Sequence, residues 1–300
     1  MNFQLSDDQL AITDAVNRIA QQFDYVPSDF HGFVLTNEAL DKELTENQFF
    51  DIAHIPELGA LTAAMAVERL ARCPCAAETA LSMLVLPYLP GDWERPIAVV
   101  EQGRPGRFVH QAKTLILIEG DSVALAHNES GLTEAVDSLY AYPMGRLVDA
   151  PIKTVLNSDD AVKVIACLRV ATAIEMAGLL QAAVDATVEH LSVRKQFGRQ
   201  LGTFQALRHR MADCAVLAGG VRWLALKAAH SGNPGDAALA LSHAQESGTR
   251  IAYDMHQMMG AMGMTLEMSL HLWTYRIKAL LSELGGRGAQ ARAVGELCFD

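Results

Sequence analysis

The hydrophobic and polar positions of the chain follow two rhythms, one helical and one of strands. From Ser6 the period is helical: Ser6 offers an N-cap, Asp7 and Asp8 stand in the first turn, and Leu10, Ile12, Ala15, Val16, Ile19 and Phe23 recur on one face. A polar break through YVPSDFHGFVLTNEALDKELTEN follows, then two apolar-rich helical segments, Leu58 to Leu70 and Ala76 to Leu86, separated by ARCPC. The rhythm then changes. GDWERP and GRPG are turn clusters, and TLILIEGDSVALAH is two short apolar runs joined across Glu119-Gly120-Asp121, the pattern of a tight hairpin. A segment of about sixty residues makes a few strands rather than a closed, ligand-holding barrel. Helical spacing returns at the cap Asn157-Ser158-Asp159-Asp160 and runs to about Val193. Phe204 to His230 ends at SGNPG, Asp236 to Met259 ends at GAMGMT, and Leu266 to Leu284 ends at GGRG. Long helices with short connections pack antiparallel. The predicted fold is mainly α: an N-terminal helical domain over residues 1–89, a truncated β domain over 90–156, and an antiparallel four-helix bundle over 157–300.

Composition narrows the function classes. The 300 residues are 50% hydrophobic and 20% charged, a globular chain with one large core or a few subdomains. A formal net charge of −11 opposes non-specific binding of nucleic acid or anionic membrane. The five cysteines are odd in number and scattered, as expected of reduced cytoplasmic thiols. Cys73-Pro-Cys75 has neither zinc spacing nor a second pair, so no metal is expected. The amino terminus lacks a signal-peptide pattern, and no run of about 18 apolar residues suggests a membrane span. No GxGxxG, P-loop or nucleophile elbow anchors a nicotinamide, ATP or hydrolase reading.

One corner exceeds what a helix connection requires. SVRKQFGRQLGTFQALRHRMADCAV, from Ser192, carries basic residues, an aromatic and repeated glutamines around Gly198. Read alone, Phe197 packs in the core, Arg194 lays its stem along the surface and Gly198 ends a helix. The alternative is a ligand corner. VRKQFGRQLGTFQALRHRMAD resembles the corner motif of the acyl-CoA dehydrogenase family, and HQMMGAMGMTLEMSLHLWTYR resembles its Gln-x-x-Gly-Gly segment, with Ala261 replacing the second glycine. MNFQLSDDQLAITDAVNRIA is similar to the family's opening helix, ERLARCPCAAE to its Glu-x-Leu-Gly-Arg segment, and IEMAGLLQAAVDATVEHLSVRKQFG to its long helix.

The resemblance implies dehydrogenation of an acyl-CoA thioester by FAD, with a glutamate as base and an electron-transfer flavoprotein as acceptor. It implies that Arg194 pairs with the FAD pyrophosphate, that Gln196 and Phe197 touch the same end, and that Gln205 supplies an amide. Gln257, Gly260 and Ala261 would bring backbone close to the adenosine diphosphate. A planar guanidinium and small residues suit a diphosphate. The departures matter as much. The family's Thr-Glu-Pro-x-x-Gly-Ser and Trp-x-Thr/Ser flavin-cradling segments do not occur between Pro90 and Pro151, where Trp93 is the sole tryptophan. One position of the family's base reads Leu168 before Arg169, and the other reads Leu284, one residue from Glu283. No catalytic residue is therefore expected, with Glu283 as the one candidate. Glu175 is expected at a helix cap or packing edge, and Glu267 is expected to fix the glycine loop.

A chain that keeps the diphosphate contacts and loses the cradle and base resembles the small, non-catalytic subunit of heteromeric steroid-CoA dehydrogenases. There a heterotetramer of two larger and two smaller subunits shares FAD at the interface, and fewer FAD sites leave room for a polycyclic acyl group. Thr265-x-Glu267 followed by His271-Leu272 is similar to that subgroup's pattern. A homomeric dehydrogenase using Glu283, or a scaffold with the same fold, are the alternatives. Met255, Met258, Met259, Met262, Met264 and Met268 surround the glycine turn, as core or interface packing or as the lining of an apolar site. His209, between Arg208 and Arg210, reads as a solvated helix face or an interface.

Overall fold

The computed structural model describes residues 4–120 and 122–299. Met1, Asn2 and Phe3 of the opening segment and Asp121 of the expected hairpin turn lie outside the described residues. Helix α1 (Asp7–Gln22) starts as its sequence dictates: the Ser6 hydroxyl accepts from the Gln9 amide while the Gln9 side chain accepts from the Ser6 amide. Val16, Ile19 and Ala20 enter the core, whereas Leu10 faces solvent. Helix α2 (Glu38–Glu46) lies inside the stretch read as a polar break. Its apolar face is only Leu40 and Leu44, one helical turn apart, and the Asn37 side chain caps it by accepting from the Ala39 and Leu40 amides. Helix α3 (Gly59–Ala71) is apolar almost all round and buried; α4 (Ala80–Leu84) is shorter than expected, its path continuing as a 3-10 turn over Leu86–Tyr88 that holds Pro87.

Two open sheets follow. Strands β1 (Ile97–Glu101), β3 (Thr114–Glu119), β4 (Ser122–His127) and β7 (Lys153–Val155) form one in the order β1-β3-β4-β7, and β2 (Gly106–Arg107), β6 (Met144–Leu147) and β5 (Thr133–Val136) form the other in the order β2-β6-β5. The expected hairpin is β3-β4, with Glu119 opposite Ser122 and Gly120 at φ 62. β1 runs parallel to β3, in register from Ile97 opposite Thr114.

Helix α5 (Ser158–Val193) is the mast of the C-terminal bundle; its 36 residues span about 54 Å. It opens with the Asn157 side chain accepting from the Asp160 amide. A two-stranded hairpin, β8 (Lys195–Gln196) and β9 (Arg199–Gln200), turns the chain into α6 (Gln205–Ser231). Asn233 caps α7 (Pro234–Met259), which has Pro234 at its first position. The fourth predicted helix is shorter than its pattern, α8 (Leu270–Leu280), and the GGRG expected to close the bundle opens a fifth helix, α9 (Gly286–Phe299). Leu284, Gly285 and Gly286 all have positive φ and redirect the chain there. Only Gln290 and Ala293 of α9 are buried, so its hydrophobic pattern is too weak to read.

The core is one continuous cluster running from α1 and α3 through both sheets into α5–α8. Its tightest helix crossing is between α3 and α5 at Gly178, where an added Cβ would overlap the Glu68 carbonyl and lie 2.8 Å from the Ala71 Cβ. At Gly219, in the middle of α6, an added Cβ meets nothing within 4 Å. Gly178→Ala is therefore expected to cost about 1–3 kcal/mol through overpacking, and Gly219→Ala to add about 0.5–1 kcal/mol through helix propensity. Thermal melting of the two variants checks the opposite signs.

Candidate functional site

The first site lies where three layers meet. Arg107 of β2 is 4% exposed; its Nη1 donates to Glu175 Oε2 on α5 at 2.7 Å and its Nε donates to Glu283 Oε1 at 2.7 Å. Tyr142 donates its hydroxyl to the other Glu175 oxygen at 2.7 Å, and Thr172 reaches Glu283 Oε2 at 3.4 Å. The Leu284 amide, next in the chain, donates to Glu101 of β1 at 2.7 Å, and Gln245 of α7 donates to the Leu280 and Glu283 carbonyls. The residues that directly follow Arg107 and Glu283, Phe108 and Leu284, both take left-handed backbone conformations, φ 60 and φ 54. Such strain in non-glycine residues persists only where surrounding contacts hold it.

The electrostatics follow from burial. Desolvation alone pushes the Arg107 guanidinium down, but Glu175 and Glu283 outweigh it and hold it well above its ordinary value. Burial raises the Tyr142 phenol, with Glu175 acting in the same direction. Glu101 is raised by burial, and Glu283 adds to the effect. What remains open beside this cluster is a cavity of 80 Å³, lined by Val99, Glu101, Arg104, Met144 and Glu283 among others. At about 30 Å³ per water molecule that is room for two or three waters, far below the roughly 300 Å³ at which small-molecule sites begin. That cavity has no space for a flavin ring or an acyl chain.

Glu175, expected at a cap or packing edge, is instead a fully enclosed ion-pair partner. Glu283, the candidate base, is held on both oxygens by Arg107 and Thr172. Sequence reasoning missed Arg107 and Tyr142 altogether. Local pattern marks GRPGR as a turn, and nothing in it signals that the second arginine turns inward.

The second site is the end of the bundle at which α5 stops, α6 begins and α7 stops. The hairpin bends through Phe197 at φ 54 and Gly198 at φ 78, the two consecutive positive values of a tight hairpin turn. Phe197 is 80% exposed, so the reading of the corner taken alone, with this ring packed in the core, does not hold. It meets Phe204 edge-on at 6.2 Å, and the Arg199 guanidinium lies 4.0 Å over the Phe204 ring. Arg194, Gln196 and Gln205 are exposed. Arg208 donates to the Gly202 carbonyl at 2.6 Å and Arg210 pairs with Asp254 at 3.2 Å, so both have partners, while His209 is exposed. Between residues 194 and 212 five Lys and Arg occur and no Asp or Glu, a local excess of positive charge in a chain of net −11.

The pairs Arg210–Asp254 and Lys227–Asp236 fix the antiparallel register of α6 against α7, which sets Gln205 level with the last turn of α7. Gln257 and Gly260 stand at this end, exposed, and Gly260 takes φ 61. With Ala261 they line a hollow of 550 Å³ that also includes Tyr253, His256, Met264, Tyr275 and Lys278. His256 fixes the rim: its Nδ1–H donates to the Gly263 carbonyl at 2.8 Å and its Nε2 meets the Thr274 hydroxyl at 2.9 Å. Burial, then Lys278 and His271, push this imidazole below its ordinary value, against the Gly263 bond. Met255, Met258 and Met259 are core, and Met264 lines the hollow. Glu267 is exposed on the loop beyond the turn. A separate groove of 370 Å³ lies on the other side of the corner, lined by Leu191, Gln200, Leu207 and Arg208 among others.

Residues 159–296 match the acyl-CoA dehydrogenase C-terminal domain. The bundle is thus similar to the C-terminal domain of that family. Among curated relatives, acyl-CoA dehydrogenase IpdE2 of Mycobacterium tuberculosis is 38% identical over 104 residues, 35% of this chain and 33% of that protein. Acyl-CoA dehydrogenase FadE34 of the same organism is 30% identical over 167 residues, 53% of this chain and 23% of that protein. The matched stretches thus span a third or less of these relatives. Among solved structures, butyryl-CoA dehydrogenase of Megasphaera elsdenii superimposes with a TM-score of 0.78 at 18% identity over 99% of both chains. A chain of the ChsE4-ChsE5 complex of Mycobacterium tuberculosis gives 0.76 at 18%, covering 99% of this chain and 98% of that one. At these identities the likeness shows the acyl-CoA dehydrogenase fold. Among the described residues no helix is long and apolar enough to cross a membrane.

FAD is the cofactor that goes with this family, and the two sites differ in how they suit it. The exposed end offers a glycine turn, an arginine, amides and a hollow large enough for a nucleotide, so its residues fit the diphosphate end. The clamped interior does not fit the ring.

The clamp makes two expectations measurable. Arg107→Met leaves two carboxylates buried without their cation and is expected to cost about 3–5 kcal/mol of stability, read by denaturant unfolding. Glu101 holds its proton to higher pH in the folded state than in the unfolded chain, so its contribution is neutral below the ordinary value of 4.5 and turns unfavourable as pH rises above it. Glu101→Gln still accepts from the Leu284 amide. Its melting temperature relative to wild type is expected to be level below that value and to climb toward neutral pH.

Proposed function

We propose that this chain is the small, non-catalytic subunit of a heteromeric FAD-dependent acyl-CoA dehydrogenase acting on a bulky acyl-CoA, a steroid side-chain ester in the first instance. In this reading Arg194, Gln196, Phe197, Gln205, Gln257, Gly260 and Ala261 hold the diphosphate end of an FAD shared with a larger partner. That partner contributes the flavin cradle and the catalytic glutamate, in a heterotetramer of two larger and two smaller subunits. When bound, FAD accepts the hydride from Cβ of the thioester, and an electron-transfer flavoprotein takes the electrons onward, in the cytoplasm.

The observation that carries the reading is the contrast between the two sites. The interior is closed by Arg107, Glu175, Tyr142 and Glu283 around 80 Å³, while the diphosphate-binding residues stand exposed at the bundle end. A carboxylate that abstracts a proton needs a free oxygen within reach of the substrate. Glu283 is engaged by a buried guanidinium, which speaks against a homomeric enzyme using it as base. The similarity to the acyl-CoA dehydrogenases IpdE2 and FadE34 supports the reaction class, and the likeness in fold to a chain of the ChsE4-ChsE5 complex supports the choice of a heteromeric assembly.

The chain's own part is binding. The Arg194 fork suits two phosphate oxygens, Gln205 and Gln257 present amides, and the exposed Phe197 ring covers an apolar edge of a ligand or partner. Expressed alone, the chain is expected to be colourless. Co-expressed with an acyl-CoA dehydrogenase from a neighbouring reading frame, it should co-purify with flavin absorbance and dehydrogenate a steroid side-chain CoA ester. Arg194→Ala should lower flavin occupancy of that complex, and Glu283→Gln should leave turnover unchanged apart from stability. A colourless, inactive complex, or a yellow isolated chain inactivated by Glu283→Gln, refutes the reading.

A further inference from the structure

We propose that Lys278, a residue outside both motifs, supplies the positive charge of the hollow beside the glycine turn and sets its affinity for the diphosphate. The inference rests on the FAD reading above and adds the residue that sets affinity there. Its ground is the make-up of the lining. The hollow of 550 Å³ is bounded by Thr249, Ala252, Tyr253, His256, Gln257, Gly260, Ala261, Met264, Tyr275, Lys278 and Leu281, with no aspartate or glutamate among them. In a chain with 35 acidic and 24 basic residues, a hollow this size without a carboxylate is suited to an anion.

Lys278 is the cation of that lining. It is exposed, and among the described residues no ion pair involves it, whereas Arg250 on α7 is paired to Asp213 at 3.0 Å. Its ammonium lies 4.6 Å over the Tyr275 ring, which directs it along the aromatic wall. Tyr275 is itself fixed from behind by Phe33, stacked at 5.8 Å with an interplanar angle of 28°. On the opposite rim Tyr253 is 65% exposed, an aromatic face available to a planar base. Between them Gly260 bears no side chain, and the His256 bond to Gly263 keeps the turn in place. A positive charge, a free aromatic face and a side-chain-free backbone on one hollow match a ligand with a flat ring and a phosphate chain, and within the FAD reading that is its adenosine diphosphate.

The test uses the complex co-purified with the larger subunit, stripped of flavin and titrated with FAD, followed by flavin fluorescence. Lys278→Met is expected to weaken FAD binding about tenfold at about 0.1 M salt, the size of one lost charge-assisted contact, and the deficit should shrink toward 1 M salt as screening removes the Coulombic part. Lys278→Arg should bind within about threefold of wild type. The melting temperature of the flavin-free complex should not move, because the side chain is exposed. If Arg194→Ala weakens FAD binding and Lys278→Met does not, the subsite is refuted while the FAD reading stands. A Lys278→Met deficit that is equal at low and high salt also refutes it, because the residue then acts through shape. If neither variant changes FAD binding, both fail together.

Discussion

The structure depends on one buried guanidinium. Arg107 comes from a strand of two residues, yet its donors reach α5 through Glu175 and the turn after α8 through Glu283, so one side chain ties the β layer to two parts of the bundle. Such a charge is tolerable only because both carboxylates satisfy it, with the Tyr142 hydroxyl donating to the other oxygen of Glu175, and the arrangement is all or nothing. The left-handed Phe108 and Leu284 are the local consequence, since each chain must turn sharply after delivering its side chain. Closure of the interior is the larger consequence. The same atoms that join the layers fill the space between them.

With the interior closed, what this chain can offer a ligand lies at its surface, and the bundle's register decides where. Antiparallel α6 and α7 are held by Arg210–Asp254 at one level and Lys227–Asp236 at another. The corner after α5 and the glycine turn after α7 therefore sit at one end although about sixty residues of chain separate them. A surface site built from chain reversals is incomplete by nature: it has a floor and no roof.

Much of the fold is legible along the chain because it is set by nearest neighbours. The Ser6 and Asn157 caps and the β3-β4 hairpin at Gly120 are decided within four residues, and the structure keeps each. What escaped was decided elsewhere. Helix α2 has two buried residues and α9 two, so burial against distant elements rather than a periodic face stabilises them. The fourth bundle helix is cut short because the chain must reach Glu283 to Arg107, a demand invisible in LLSELGG. Phe197, which the corner read alone would place in the core, stands exposed at a hairpin tip.

By itself the sequence determined the helical architecture, the place of the β layer and the family likeness of its motifs. These are properties of local spacing and residue type, which a linear string carries in full. Only the tertiary structure decided that Glu175 and Glu283 face one arginine, that the interior holds 80 Å³, and that Lys278 lines the hollow of the glycine turn. Arg107 lies 68 residues from Glu175 and 176 from Glu283. A charge is buried or exposed according to what arrives from that distance, and no local pattern encodes it.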